Sequence, residues 1–153
     1  MVEHSYKSDL SIDEKVLMAI VRLAEKFKRS HSEVFRKYGL SFPQYNVLRV
    51  LEASDNGRNK ISNVSRIMLV PGANITGIAK RLAKDGFIIK KPDPKDERVT
   101  VLEISLKGKR ILKQIEREKD ERLARIVKKF SKNEKIELLK KIKRILKNGM
   151  PAG

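Results

Sequence analysis

Cysteine is absent from this 153-residue chain. That excludes disulfides, thiolate metal sites and thiol-based redox sensing. Histidine is nearly absent: only His4 and His31 occur, and neither falls in a metal-ligand spacing. The most notable apolar run, Val16 to Val21, has six residues, far short of the ~20 that span a bilayer. The N-terminus opens with Glu3 and His4 rather than an apolar signal stretch, so a cytoplasmic location is expected. The eight glycines are scattered, leaving no nucleotide-binding loop signature. Ser/His/Asp arrangements and paired carboxylates are also missing, so neither enzyme activity nor a cofactor or metal is expected. The most informative absence is local. Between Gly57 and Lys84 there is no Asp or Glu, although the chain carries 19 of them.

The residues that are present are strongly basic, with 36 Lys and Arg and a formal net charge of +17. Such an excess draws a protein toward polyanions and raises association rates. Apolar residues make up 40% of the chain, enough for a core, and charged residues 36%, which suggests long solvated helices. The length suits one ordinary domain with helical extensions.

Periodicity divides the chain into elements. Ser11 is a plausible N-cap, with Glu14 at the capping-box position. The helix behind it runs to about Arg36, with an apolar stripe at Ile12, Val16, Ile20, Leu23, Phe27 and Val34. Gly39 ends that segment, and Ser41 with Pro43 opens the next helix. Asp55-Asn56-Gly57-Arg58-Asn59 reads as a turn. A short helix over 61–70 is broken by Pro71-Gly72, and a further helix from about Ala73 to Lys84 turns Ile75, Ile78, Ala79 and Leu82 inward. Two short helices joined by a tight turn read as helix-turn-helix. Phe87-Ile88-Ile89 and Val99 to Ile104 are then two short strands around the loop Pro92 to Glu97, which makes a wing. Long amphipathic helices follow at 106–130 and 132–147, the second capped by Ser131 with Glu134. The fold class is therefore mainly α with a small β wing: a winged helix-turn-helix with long N- and C-terminal helices.

Those terminal helices carry more apolar surface than one small domain can cover. Residues 1–38 and 106–153 are expected to form a helical dimerisation region, and residues 39–105 the DNA-binding domain. A homodimer would place two recognition helices roughly 34–36 Å apart, about one turn of duplex.

The acid-free window coincides with the helix-turn-helix and contains Arg58, Lys60, Arg66, Lys80, Arg81 and Lys84. Carboxylates there would be repelled by phosphate. On the second short helix Asn74, Thr76 and Gly77 face outward near the N-terminal end, where base edges are reached. Asn can pair with adenine, and Thr offers a hydroxyl or a methyl group. Gly77 leaves room for close backbone approach or is simply tolerated on an open face. Lys80, Arg81 and Lys84 are expected on phosphates. The first-turn N–H groups after Pro71, at Gly72 and Ala73, could hold another phosphate. At the loop tip, Arg98 can enter the minor groove, its fork fixed by Asp96, with Lys90, Lys91 and Lys95 around it. An ordinary surface ion pair is the plainer reading of Asp96 and Arg98.

Several segments resemble the MarR family of transcription regulators. They are Leu40-Ser41-Phe42-Pro43-Gln44-Tyr45-Asn46-Val47-Leu48, Leu69-Val70-Pro71-Gly72-Ala73-Asn74-Ile75-Thr76-Gly77, Arg81-Leu82, Asp85-Gly86-Phe87-Ile88, Pro92-Asp93-Pro94-Lys95-Asp96-Glu97-Arg98-Val99 and Leu106-Lys107-Gly108. The resemblance covers about residues 10–147. It implies a triangular dimer with two winged lobes that binds pseudo-palindromic promoter DNA and represses. It also implies release by a small phenolic or other lipophilic anion bound between the dimer region and the winged lobe. The family's wing Asp-x-Arg pair matches Asp96 and Arg98, and its recognition helix matches residues 72–84. Three departures stand out. Glu97 occupies a position where many relatives have Arg. Asn63-Val64-Ser65-Arg66 replaces a segment that is often acidic. The oxidation-sensing branch is ruled out by the missing cysteine. Tyr38, His31, Arg22 and Arg49 lie in segments that could line a ligand cleft. The alternative to a sequence-specific regulator is a nonspecific architectural DNA binder, its charge spread over the whole dimer.

Overall fold

The structure, a computed structural model, describes residues 9–68 and 74–148. The chain divides into two compact units, 1–115 and 116–153. The first unit begins with helix α1 (Ile12–Lys37), where Glu14 N–H donates to the Ser11 hydroxyl at 3.2 Å. Helix α2 (Phe42–Glu52) carries a full capping box between Ser41 and Gln44. Gly39, in the left-handed region at φ 76°, lies between the two helices. Strand β1 (Arg58–Lys60), helix α3 (Ile61–Ile67) and helix α4 (Ile75–Lys84) follow. Strands β2 (Ile88–Pro92) and β3 (Thr100–Ile104) form the wing hairpin. Helix α5 (Leu106–Val127) runs on into the second unit, which holds helix α6 (Lys132–Lys147) with its Ser131–Glu134 capping box.

The wing contains one strand more than periodicity implies. The sheet order is β1-β3-β2, all antiparallel, with Lys60 opposite Val101 and Lys91 opposite Val101 on the other side. Arg58-Asn59-Lys60 is entirely polar, so nothing in its side chains announces a strand; its order comes from backbone pairing to β3. Strand β2 also extends past Ile89 to Pro92, while its middle residues Lys90 and Lys91 stay exposed. Proline suits this edge strand because it has no ladder N–H to leave unpaired. Helix α3 ends at Ile67, short of residue 70, with Met68 as its C-cap.

The core of the first unit joins the last turns of α1 to the first turns of α5. Val34 and Phe35 meet Tyr45, Val47, Leu48 and Leu51 of α2, Ile78 and Leu82 of α4, Leu102 and Ile104 of β3, and Leu112 and Ile115 of α5. Phe35 stacks on Tyr45 at 4.0 Å between ring centroids and meets Phe42 edge-on at 5.5 Å. Aromatic pairs of this kind add about 0.5–1.5 kcal/mol beyond their burial. The earlier part of α1 behaves differently: Ile12, Val16, Leu17, Val21, Leu23 and Phe27 are all exposed. In α6, described by itself, no residue is buried, and Ile136, Leu138, Leu139, Ile145 and Leu146 are exposed.

Candidate nucleic-acid interface

Helix α4 has two chemically distinct faces. Ile75, Ile78, Ala79 and Leu82 recur at three- and four-residue steps and are buried. That periodicity forces the intervening residues outward. Asn74, Thr76, Gly77, Lys80, Arg81 and Lys84 are all exposed. Arg81 and Lys84 stand in the last turn, where cations complement the helix dipole. Asn74 occupies the N-cap position, yet its side chain makes no capping bond. A methyl group added at Gly77 would meet only Asn74 Oδ1, at 3.6 Å. The fold itself therefore does not require glycine there. Arg58 and Lys60 on β1 and Arg66 on α3 are also exposed. Gly72 and Ala73, with the proposed phosphate cradle behind Pro71, lie outside the described residues.

The wing is organised by two aspartates. Asp96 and Arg98 form the forked pair anticipated from their spacing: Nε donates to Oδ1 at 3.1 Å and Nη2 to Oδ2 at 3.3 Å. The Arg98 backbone N–H also donates to Asp96 Oδ1, at 3.1 Å. The Arg98 side chain is nonetheless 91% exposed, so the pair orients the guanidinium without covering it. The Arg98 side-chain and backbone donors hold the Asp96 carboxyl below the usual carboxylate range. Asp93 is buried, and its Oδ1 accepts the Lys95 N–H at 2.8 Å while its Oδ2 lies 3.5 Å from Lys60 Nζ. Its pKa is lowered chiefly by the Lys95 N–H and further by the Lys60 charge. Lys95 points to solvent. Farther along the hairpin, Lys91 Nζ meets Glu103 at 2.7 Å, which lowers the Glu103 pKa.

The base of the wing is locked to α5. Ser105 Oγ donates to Gly86 O at 2.6 Å and accepts the Gly108 N–H at 3.1 Å. Lys107 Nζ donates to Asp85 O at 2.6 Å and sits 4.6 Å from the Phe87 ring centre. A Cβ at Gly108 would fall 2.5 Å from Phe87 O, so glycine is required there by space. These contacts give the Leu106-Lys107-Gly108 segment a physical role: it anchors the turn between α4 and β2. Helix α4 in turn packs against β2. Helix α4 and the wing thus belong to one unit with a shared core. Asp93, Ser105 and Lys107 were not recognised from sequence as organisers. The two-residue step from Asp93 to the Lys95 N–H is the signal that could have marked the first of them.

The residues considered for a ligand cleft scatter. His31 is buried and donates from Nδ1 to Phe27 O at 3.1 Å. Arg49 pairs with Glu52 at 3.5 Å, Tyr38 is half-buried against the core, and Arg22 is exposed on α1. None of them lines the open cleft of about 590 Å³ at the α1–α2 junction, which is bounded by Ser32, Arg36, Gly39, Leu40, Ser41, Phe42 and Pro43. Among the described residues no helix is long and apolar enough to cross a membrane, and no group of three His, Asp or Glu could hold a metal.

The family model for transcriptional regulator SarA/Rot matches residues 29–115, the span from the end of α1 to the first turns of α5. The chain belongs to the SarA/Rot family of transcriptional regulators, and its fold is that of solved MarR-family regulators. The chain is 31% identical over 98 residues to the transcriptional repressor IacR of Pseudomonas putida, a match covering 64% of the chain and 56% of that protein. The crystal structure of the organohalide-sensing regulator RdhR-CbdbA1625 bound to 2,4-dichlorophenol superposes with a TM-score of 0.82 at 17% identity, covering 97% of this chain and 88% of that one. Sco3205 of Streptomyces coelicolor, a MarR family regulator in complex with DNA, superposes at 0.81 with 18% identity, covering 98% and 95%. The matched family is one of transcriptional regulators, and the helix-turn-helix matches support DNA binding.

Proposed function

We propose that this protein is a sequence-specific repressor of the MarR type that binds a pseudo-palindromic operator as a homodimer and is released by a small ligand. The observation that carries the reading is the outer face of α4, which is basic and acid-free, beside a wing whose Arg98 is oriented by Asp96 yet exposed. Asn74, Thr76 and Gly77 would meet base edges in the major groove. Arg58, Arg66, Lys80, Arg81, Lys84 and Lys95 would neutralise phosphates. Arg98, held by Asp96, would enter the minor groove. The complex of Sco3205 with DNA supports this use of the fold.

The exposed apolar residues of α1 and of α6 support assembly of two copies through residues 1–38 and 106–153. Release by a lipophilic or aromatic anion is supported by the cleft beside Arg36 and Phe42, whose size falls within the ~300–1,000 Å³ of ligand pockets. The dichlorophenol-bound relative points the same way.

The test is competition between a duplex enriched by the protein from a random pool and unselected duplex at physiological salt. A preference of about 10³ or more is expected for an operator binder. A ratio near one would replace this reading with the architectural one, which the net charge of +17 favours.

A further inference from the structure

Lys60 has the appearance of a phosphate contact: it is basic, exposed and inside the acid-free window. Its surroundings assign it other work. It is the last residue of β1 and the N-cap of α3, so its backbone belongs at once to the sheet and to the helix-turn-helix. Its side chain reaches across β3 to the far side of the three-stranded sheet, where Nζ lies 3.5 Å from Asp93 Oδ2. Asp93 is the one buried carboxylate among the described residues. A carboxylate is costly to bury unless charge and hydrogen bonds compensate it. Here the compensation is the Lys60 ammonium on one oxygen and the Lys95 N–H on the other, with a weaker contribution from the Asp96 backbone N–H. The Asp93 N–H donates to Val99 O at 2.8 Å, and the Val99 N–H to Asp96 O at 2.9 Å. One residue therefore fastens both limbs of the loop that presents Asp96 and Arg98.

The geometry points to Lys60 and Asp93 as a brace that fixes the wing on the helix-turn-helix, so that Lys60 supports DNA binding through the placement of Arg98 rather than through a phosphate of its own. This inference rests on the DNA-binding reading above and deepens it. Lys60 and Asp93 are positioning residues. Without the brace the hairpin would keep its strands but lose the fixed angle of its tip, and Arg98 would have to be ordered again upon each docking, at a cost in affinity.

The test uses the full chain and, as probe, a 30-bp duplex that the wild-type protein enriches from a random pool. Lys60→Met and Asp93→Asn should each weaken binding about two- to fivefold, the range of a half-exposed ion pair. In an Arg98→Ala background, Lys60→Met should leave both the affinity and its salt dependence unchanged. A direct phosphate contact would instead lower the slope of log affinity against log salt by about 0.9 in either background, and that outcome overturns the brace. The second readout needs no DNA. In the free protein, Lys60→Met should speed hydrogen exchange at the Lys95 and Val99 amides, and Asp93→Ala, which also removes the Lys95 acceptor, should speed it more. Amides that respond to Asp93→Ala but not to Lys60→Met would also overturn the proposal. Failure of the wild-type protein to enrich any duplex refutes operator binding instead, and the exchange data still judge the brace.

Discussion

Helices α4 and α6 are built on the same plan, with an apolar stripe at helical spacing and lysines and arginines around the rest, and they meet opposite fates. In α4, Ile75, Ile78, Ala79 and Leu82 are buried against the rest of its own unit. In α6, Ile136, Leu138, Leu139, Ile145 and Leu146 remain exposed, and the helix has no buried residue. An apolar stripe states that a helix must be covered, not by what. Where the chain itself supplies the cover, the polar face is held rigidly and is available for recognition. Where its own unit does not, the apolar face is left bare, and in the proposed homodimer a second copy would cover it. On the proposed function, recognition would reside in the unit whose apolar stripe is covered and assembly in the one whose stripe is exposed.

The comparison breaks most visibly at α6. Replacing Leu139 and Leu146 with Lys should convert a dimer to a 17.6 kDa monomer in sedimentation, with little change in the unfolding of the winged unit. A variant that stays dimeric would show that α6 is covered by something else. The corresponding change in α4 acts within the chain. Leu82→Ala should cost about 2–5 kcal/mol in denaturant unfolding, the range for a fully buried leucine. A loss below 1 kcal/mol would mean that α4 is less integral to the core than its burial implies. Third comes Arg98→Ala, expected to weaken operator binding at least tenfold, roughly 1.4 kcal/mol, with the thermal midpoint nearly constant because the side chain is 91% exposed. Equal affinity in a titration at fixed salt would remove the wing from the mechanism. The smallest effect sharpens the reading of the α4 outer face. Gly77→Ala should stabilise the free protein by up to about 1 kcal/mol through helix propensity, since the added methyl meets only Asn74 Oδ1 at 3.6 Å. If that more stable variant binds operator more weakly, the glycine is kept for DNA; if affinity is unchanged, it is merely tolerated.

Much of this architecture could be read locally. The capping residues Ser11, Ser41 and Ser131 mark helix starts seen in the structure, because an N-cap bond spans only three residues. The inward face of α4 follows from period alone. The Asp96–Arg98 fork was also accessible, since its partners are two residues apart. Strand β1 was not. Arg58-Asn59-Lys60 has no apolar alternation, and its order depends on Glu103, Leu102 and Val101, more than forty positions away. The role of Asp93 was equally hidden. As a letter it is an ordinary loop aspartate, and only burial against Lys60 makes it an organiser. Lys107 and Gly108 gain their meaning from Asp85 and Phe87 across the turn.

By itself the sequence determined the capped helix starts, the amphipathic faces, the missing acid from Gly57 to Lys84 and the chemistry at the wing tip, because each depends on neighbours within a turn or two. Tertiary structure alone decided that a third strand closes the wing, that Lys60 reaches Asp93, and which apolar stripes are covered within the chain. Those outcomes depend on groups far apart in the chain being brought within a few ångströms, and no local period encodes that meeting.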